Sequence, residues 1–301
     1  MSAGGEAGGR RELSVRSPSG PTLAAWESGP SEGRPVILLH GLTMTANQAF
    51  SNTAVLERAG FRVISFDARG HGDSEPAADP RQYGYDVLTE DLAAVMDAFR
   101  VERAVLAGIS MGGHTALRLA LEQPHRSAAL AIVSPAFDPE HHPNRENVAE
   151  ADALEAGVRE RGVDGFMAAL RIPAGSSRES AGVRAAHSLV RRRLKEHREL
   201  TAVGDAVKAN LRAKPFDDFA ALSAIEGPVL VVGTRDELDP RHPYELARSY
   251  VRAIPGSRFE CERPGGVPLG WGGRRLILLV RELAARAEWS AANSTAGGRR
   301  A

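Results

Sequence analysis

Gly108-Ile109-Ser110-Met111-Gly112 sets one hydroxyl between two residues that lack side chains, in a G-x-S-x-G pattern. This arrangement suits nucleophilic attack on an acyl carbon. An apolar run, Ala104–Ala107, leads into it, and a helix-spaced run with His114, Leu117 and Ala120 leads out. The serine therefore sits on a sharp turn from strand to helix, where a Cβ at either neighbouring position would collide with the backbone. Ser110 is held up at the strand's C-terminal end as the candidate nucleophile. The helix that starts behind it offers backbone N–H groups and a positive dipole end to a developing oxyanion.

A second element, Leu38-Leu39-His40-Gly41-Leu42, closes an earlier strand. Gly41 lets the backbone approach a substrate oxygen, so the N–H groups of Leu42 and Met111 are assigned as the two oxyanion-hole donors. His40 reads as a brace for this loop. A third element, Asp67-Ala68-Arg69-Gly70-His71-Gly72-Asp73-Ser74, is a glycine-rich turn. It lacks the G-x-x-x-x-G-K-[ST] form of a phosphate loop, so it reads as a structural turn with His71 part of it. His114, one turn into the helix after Ser110, reads as a packing residue.

These motifs need a scaffold that gathers the ends of several strands. Leu13–Arg16 and Thr22–Glu27 flank Ser17-Pro18-Ser19-Gly20 and read as an antiparallel hairpin at a sheet edge. Further strand-length runs follow at Val36–Leu39, Arg62–Phe66, Ala104–Ala107, Ala128–Val133, Val229–Val232 and Arg258–Glu262. Helical patterns fall between them at 47–59, 86–99, 111–122, 243–252 and 274–287. The alternation predicts an α/β fold with a mostly parallel sheet. From Asp138 to Ala221 it breaks, in a stretch rich in Ala, Arg and Glu with helical spacing, read as an inserted helical cap. Within that stretch, Arg191 to His197 is basic but has Glu196 and Glu199 beside it, and reads as a solvated helix face. The expected organisation is a core of 13–137 and 222–288, a cap of 138–221, and disordered tails at 1–12 and 289–301.

Composition removes several function classes. The chain of 301 residues has 38 Lys plus Arg against 38 Asp plus Glu, a formal net charge of zero that gives no electrostatic case for nucleic acid or a membrane surface. Its single cysteine, Cys261, permits neither an internal disulfide nor a thiolate metal site. No apolar run approaches the roughly 18 residues of a spanning helix, and a cytoplasmic location is expected. No metal or cofactor is expected, and the expected partner is a small-molecule acyl substrate or ligand.

Taken together, Leu39-His40-Gly41, Asp67 to Ser74, Gly108 to Gly113 and Gly233-Thr234-Arg235-Asp236-Glu237-Leu238-Asp239-Pro240 resemble the α/β-hydrolase superfamily in order and spacing, from about residue 12 to 287. The resemblance implies an eight-stranded, mostly parallel sheet with a cap over the site. It also implies a triad in the chain order Ser, acid, His, with Ser110 in the nucleophile place and Asp236 in the acid place. Asp239 is the second choice for the acid. A serine at the elbow, where the epoxide hydrolases and haloalkane dehalogenases of the superfamily carry an aspartate, implies acyl chemistry on an ester, a thioester, a lactone or a carbon–carbon bond beside a carbonyl. The family histidine belongs just after the last strand, where this chain has Val267, and no histidine follows His242. Three accounts stay open. A substitute base could come from His242, His141, His142, His187 or His197; a weakened hydrolase could work with Asp236 or water; or the pocket could bind a ligand without turning it over.

Overall fold

Short apolar runs fold into strands where both faces can be covered. The structure, a computed structural model, describes residues 10–171, 177, 180–235, 239–261, 274–287 and 289. Its strands are β1 (Arg11–Arg16), β2 (Thr22–Ser28), β3 (Arg34–Leu39), β4 (Phe61–Phe66), β5 (Ala104–Ile109), β6 (Ser127–Val133), β7 (Val229–Gly233) and β8 (Arg258–Cys261). They form one sheet in the order β1-β2-β4-β3-β5-β6-β7-β8. β1 with β2 and β2 with β4 are antiparallel, and every other pair is parallel. The expected edge hairpin is thus present, and the eight expected strands lie within two residues of their observed ends.

The helices are α1 (Ala46–Ala49), α2 (Ala54–Arg58), α3 (Tyr85–Ala98), α4 (Met111–Glu122), α5 (Arg145–Ala169), α6 (Ala181–Leu194), α7 (Leu200–Asn210), α8 (Tyr244–Ala253) and α9 (Arg274–Arg286). Alternation along each strand divides the core in two. Ile37, Leu39 and Leu106 join residues of α3, α4 and α8 on one face, whereas Val36, Leu38 and Val105 join α2 and α9 on the other. One expected helix, 47–59, is instead two short ones. Phe50 is extended and Asn52 adopts φ 61°, a left-handed conformation that asparagine tolerates better than most residues and that no helix can continue through.

α5, α6 and α7 lie between β6 and β7. α5 doubles back at Gly162 (φ 58°), which brings Gly157 and Gly165 together so closely that a Cβ on Gly165 would fall 1.7 Å from the Gly157 carbonyl oxygen. The three helices share a core of Leu154, Val158, Phe166, Val190 and Val203, against which Leu42 of the sheet domain packs. Polar ties fix them to the loops below. His197 Nδ1 accepts from the Gly72 N–H at 2.9 Å while its Nε2–H donates to the Thr43 carbonyl at 3.1 Å, and the Tyr85 hydroxyl donates to Asn210 at 3.0 Å. Among the described residues no helix is long and apolar enough to cross a membrane.

Candidate active site

β3 and β5 are neighbours, with Leu39 opposite Gly108, so the loop after β3 and the turn after β5 emerge side by side where the strand order changes direction. Ligand sites of open parallel sheets form at such crevices. Ser110 caps α4 with φ 49° and ψ −113°, a strained conformation held by its N–H bond to the Val133 carbonyl at 2.8 Å. The glycines on either side are required by close approach. A Cβ at Gly108 would lie 2.2 Å from the Gly112 backbone, and one at Gly112 would lie 2.6 Å from the His40 and Leu39 carbonyl oxygens. Among the described residues, neither the Leu42 nor the Met111 N–H is bonded to an acceptor, and Leu42 lines the cavity above Ser110.

Facing Ser110 is the loop between β7 and α8. His242 Nε2 lies 2.9 Å from Ser110 Oγ, and His242 Nδ1 lies 2.8 Å from Asp239 Oδ2. With Nδ1–H donating to the carboxylate, Nε2 is left as an acceptor for the serine proton. Asp239 and His242 share one turn: the His242 N–H donates to the Asp239 carbonyl at 3.3 Å, and Pro240 and Pro243 restrict the backbone on either side of the Arg241-His242 pair. Burial pushes the Asp239 carboxyl up, but the charge and hydrogen bond of His242, with the charge of Arg241, outweigh it and hold the group below its ordinary value.

None of the other histidines is bonded to Ser110 among the described residues. His40 accepts from the Ala68 N–H through Nε2 at 2.8 Å and donates to the Gly41 carbonyl through Nδ1 at 2.9 Å, bracing the loop that carries Leu42. Burial pushes it down to about 4, so it stays neutral. His114 is buried against the hydroxyls of Tyr85 and Tyr250 and is pushed down to about 3 by burial and by His242. His141 is exposed and bonded to Asp138, His142 donates to the Arg212 carbonyl, and His187 lines the cavity. The turn from Asp67 to Ser74 is structural: Asp67 accepts from the Ala46 and Asp73 N–H groups, and Ser74 Oγ donates to the Asp67 carbonyl at 2.6 Å.

Asp236 and Val267 lie outside the described residues. The carboxylate against His242 is that of Asp239, the second choice for the acid; the only signal for it was a histidine three residues downstream across a proline-bounded turn. The reading of Arg191 to His197 as a solvated face is corrected in part. Arg191 pairs with Asp164 and Arg192 is exposed, but His197 is buried on Gly72 and Thr43 and Arg193 lines the cavity. Amphipathic spacing explains the split, since Arg193 follows Val190 by three residues and Ala186 by seven, on the inward face of α6. The cavity has a volume of about 200 Å³ and runs from Ser110 and His242 up between the helices to Phe166, Val183 and Val207.

Comparison with known proteins agrees with this architecture. A family model described as alpha/beta hydrolase fold matches residues 34–266. The chain is 31% identical over 217 residues to RutD of Variovorax paradoxus, a protein named for carbamate hydrolysis, covering 69% of this chain and 76% of that protein. It is 36% identical over 112 residues to a protein of mycobacteriophage D29 named as a non-heme haloperoxidase. That shorter match covers 37% of this chain and 40% of the phage protein, well under two thirds of its length. Among solved structures, a thermophilic esterase from Thermogutta terrifontis superposes with a TM-score of 0.68 at 24% identity, covering 90% of this chain and 97% of that one.

Proposed function

The chain belongs to the α/β-hydrolase fold family, and from that premise we propose that it is a serine hydrolase of small acyl substrates, an ester, thioester or lactone, working through Ser110, His242 and Asp239. The observation that carries this reading is the line of contacts from Asp239 Oδ2 through His242 to Ser110 Oγ, at 2.8 and 2.9 Å. It supplies the base that the segment after β8 does not contain.

His242 Nε2 takes the Ser110 proton as Oγ attacks the acyl carbon, and Asp239 keeps the imidazole in the required tautomer and balances the positive charge it acquires. The carbonyl oxygen becomes an oxyanion received by the Leu42 and Met111 N–H groups, reinforced by the N-terminal end of α4. Collapse of this intermediate breaks the acyl–oxygen or acyl–sulfur bond; the departing alkoxide or thiolate, which stays tethered in a lactone, takes the proton from His242 and an acyl-Ser110 remains. Water then gives a proton to His242, attacks the acyl group and releases the acid, restoring the Ser110 hydroxyl. A cavity of about 200 Å³ favours a short acyl chain. The name of RutD, for a carbamate, falls within the same acyl-transfer chemistry.

The test is labelling of the purified protein with a fluorophosphonate, together with hydrolysis of 4-nitrophenyl butyrate. The expected result is stoichiometric labelling and turnover, both abolished by Ser110→Ala. Absence of labelling and turnover in the wild-type protein would overturn the hydrolase reading and leave a pocket that binds without turnover.

A further inference from the structure

Three arginines line the cavity above Ser110, and they differ in what they face. Arg171 pairs with Glu146 at 2.8 Å and lies 3.6 Å from Glu150, and Arg241 pairs with Glu150 at 2.7 Å. The Arg193 guanidinium has neither an ion pair nor a hydrogen bond among the described residues, although it reaches into the same cavity as Ser110 and His242. Its position is set by the helix, because Val183, Ala186, Val190 and then Arg193 follow one another at intervals of three and four residues along the inward face of α6. The next residue, Leu194, is buried in the apolar core of the insertion. A cation on that stripe forgoes the packing of an apolar side chain, and half-buried as it is it keeps only part of the hydration of an exposed arginine. Burial accordingly pulls the Arg193 guanidinium below its ordinary value, with only the charge of Asp239 acting the other way. Asp239 is already engaged by His242.

We propose that Arg193 is a substrate-binding residue that recognises a carboxylate, so that the preferred substrate is a short ester or lactone carrying a free carboxylate in addition to its reacting carbonyl. This rests on the serine-hydrolase reading of the same site and adds the class of substrate to it. Without an ion pair or side-chain hydrogen bond among the described residues, the planar guanidinium can present two parallel N–H groups to a carboxylate, beside an apolar wall of Phe166, Val183, Val190 and Val207. The cavity's small volume favours a carboxylate over a bulkier phosphate ester. The apolar wall would receive the few methylene groups between the two ends.

Two matched pairs of esters test it, one with the charge on the acyl side and one with it on the alcohol side. These are 4-nitrophenyl hemiglutarate against 4-nitrophenyl pentanoate, and 4-carboxyphenyl butyrate against phenyl butyrate. In at least one pair the charged ester is expected to have the higher kcat/KM, by tenfold or more, mainly through KM. Arg193→Met should collapse that ratio toward one, and Arg193→Lys, which keeps the charge but not the fork, should leave an intermediate ratio. A merely structural role for Arg193 would lower both members of a pair in proportion and leave the ratio unchanged. Neutral esters favoured in both pairs, or a charge preference that survives Arg193→Met, would overturn the proposal while the hydrolase reading stood. If no ester is turned over and no fluorophosphonate label is taken up, calorimetric binding of glutarate to the wild-type protein decides alone. Binding weakened at least tenfold in whichever Arg193 variant folds supports the carboxylate site, and equal or absent binding overturns it.

Discussion

At the scale of single residues, the chemistry turns on which carboxylate and which imidazole serve Ser110. His242 Nε2 is the only histidine nitrogen bonded to Ser110 Oγ among the described residues. His242→Ala is therefore expected to lower kcat/KM for a short ester by about 10³-fold or more, close to the effect of Ser110→Ala, because the three groups act as a unit. Asp239→Asn should cost at least tenfold more than Asp236→Asn in the same assay; the reverse order would return the acid role to Asp236. Val267→His, which restores a histidine at the family's expected position, should give no gain in ester hydrolysis if, as proposed, His242 already serves as the base for Ser110. A gain of tens-fold would indicate that His242 does not serve in solution. The sequence carried Ser110 in plain view because an elbow needs its glycines at fixed offsets. The base was harder to see, since a histidine three residues beyond an aspartate in a loop has no period to mark it, and only contact across the fold tells it from a surface pair.

At the scale of elements, the strand-to-helix turn is the most constrained piece of the molecule. Gly108→Ala would drive a methyl group to 2.2 Å from the Gly112 backbone, where nothing flexible can yield. It should lower the unfolding free energy on the order of 3 kcal/mol or prevent folding, as read from urea denaturation. Most of the sheet was legible for a simple reason: strands covered on both faces are continuous apolar runs, as in Ser127–Val133, where every residue is buried. Helices α3, α4, α8 and α9 were legible to within one residue at each end through their 3.6-residue spacing. Helices α5, α6 and α7 were legible only as a stretch of helical spacing. Their hydrophobic stripes are interrupted by residues turned toward the cavity, so Arg193 looked like part of a basic surface and the reversal at Gly162 left no sign.

At the scale of the whole molecule, four buried histidines couple the fold to acidity. His40 is pushed down to about 4 and His114 to about 3, and His71 and His197 are also lowered, in each case chiefly by burial. The unfolded chain takes up protons on these rings near pH 6.5, whereas the folded chain refuses them until well below that, so acid favours unfolding. Stability is expected to be full above about pH 7 and to fall steeply between about pH 6.5 and 4, by several kcal/mol in all, which thermal melting across that range would reveal. His197 takes part in a second way, since it joins the inserted helices to Gly72 and Thr43 below them. With His197→Ala, the Gly72 amide should exchange hydrogen faster at neutral pH, an effect absent if the helices are held by their apolar contacts alone.

The short turn from Asp239 to His242 has a mechanical consequence. Asp239 and His242 ride on one short, proline-bounded segment, so a displacement of that segment as a unit carries both and keeps their 2.8 Å contact. Only the gap to Ser110 changes. Where three separate loops must each stay in register, alignment can fail in two independent ways; with Asp239 and His242 on one turn, the proposed alignment depends on a single separation, like a latch. A fluctuation that opens it leaves the pair on the loop ready, and reclosure needs no further assembly.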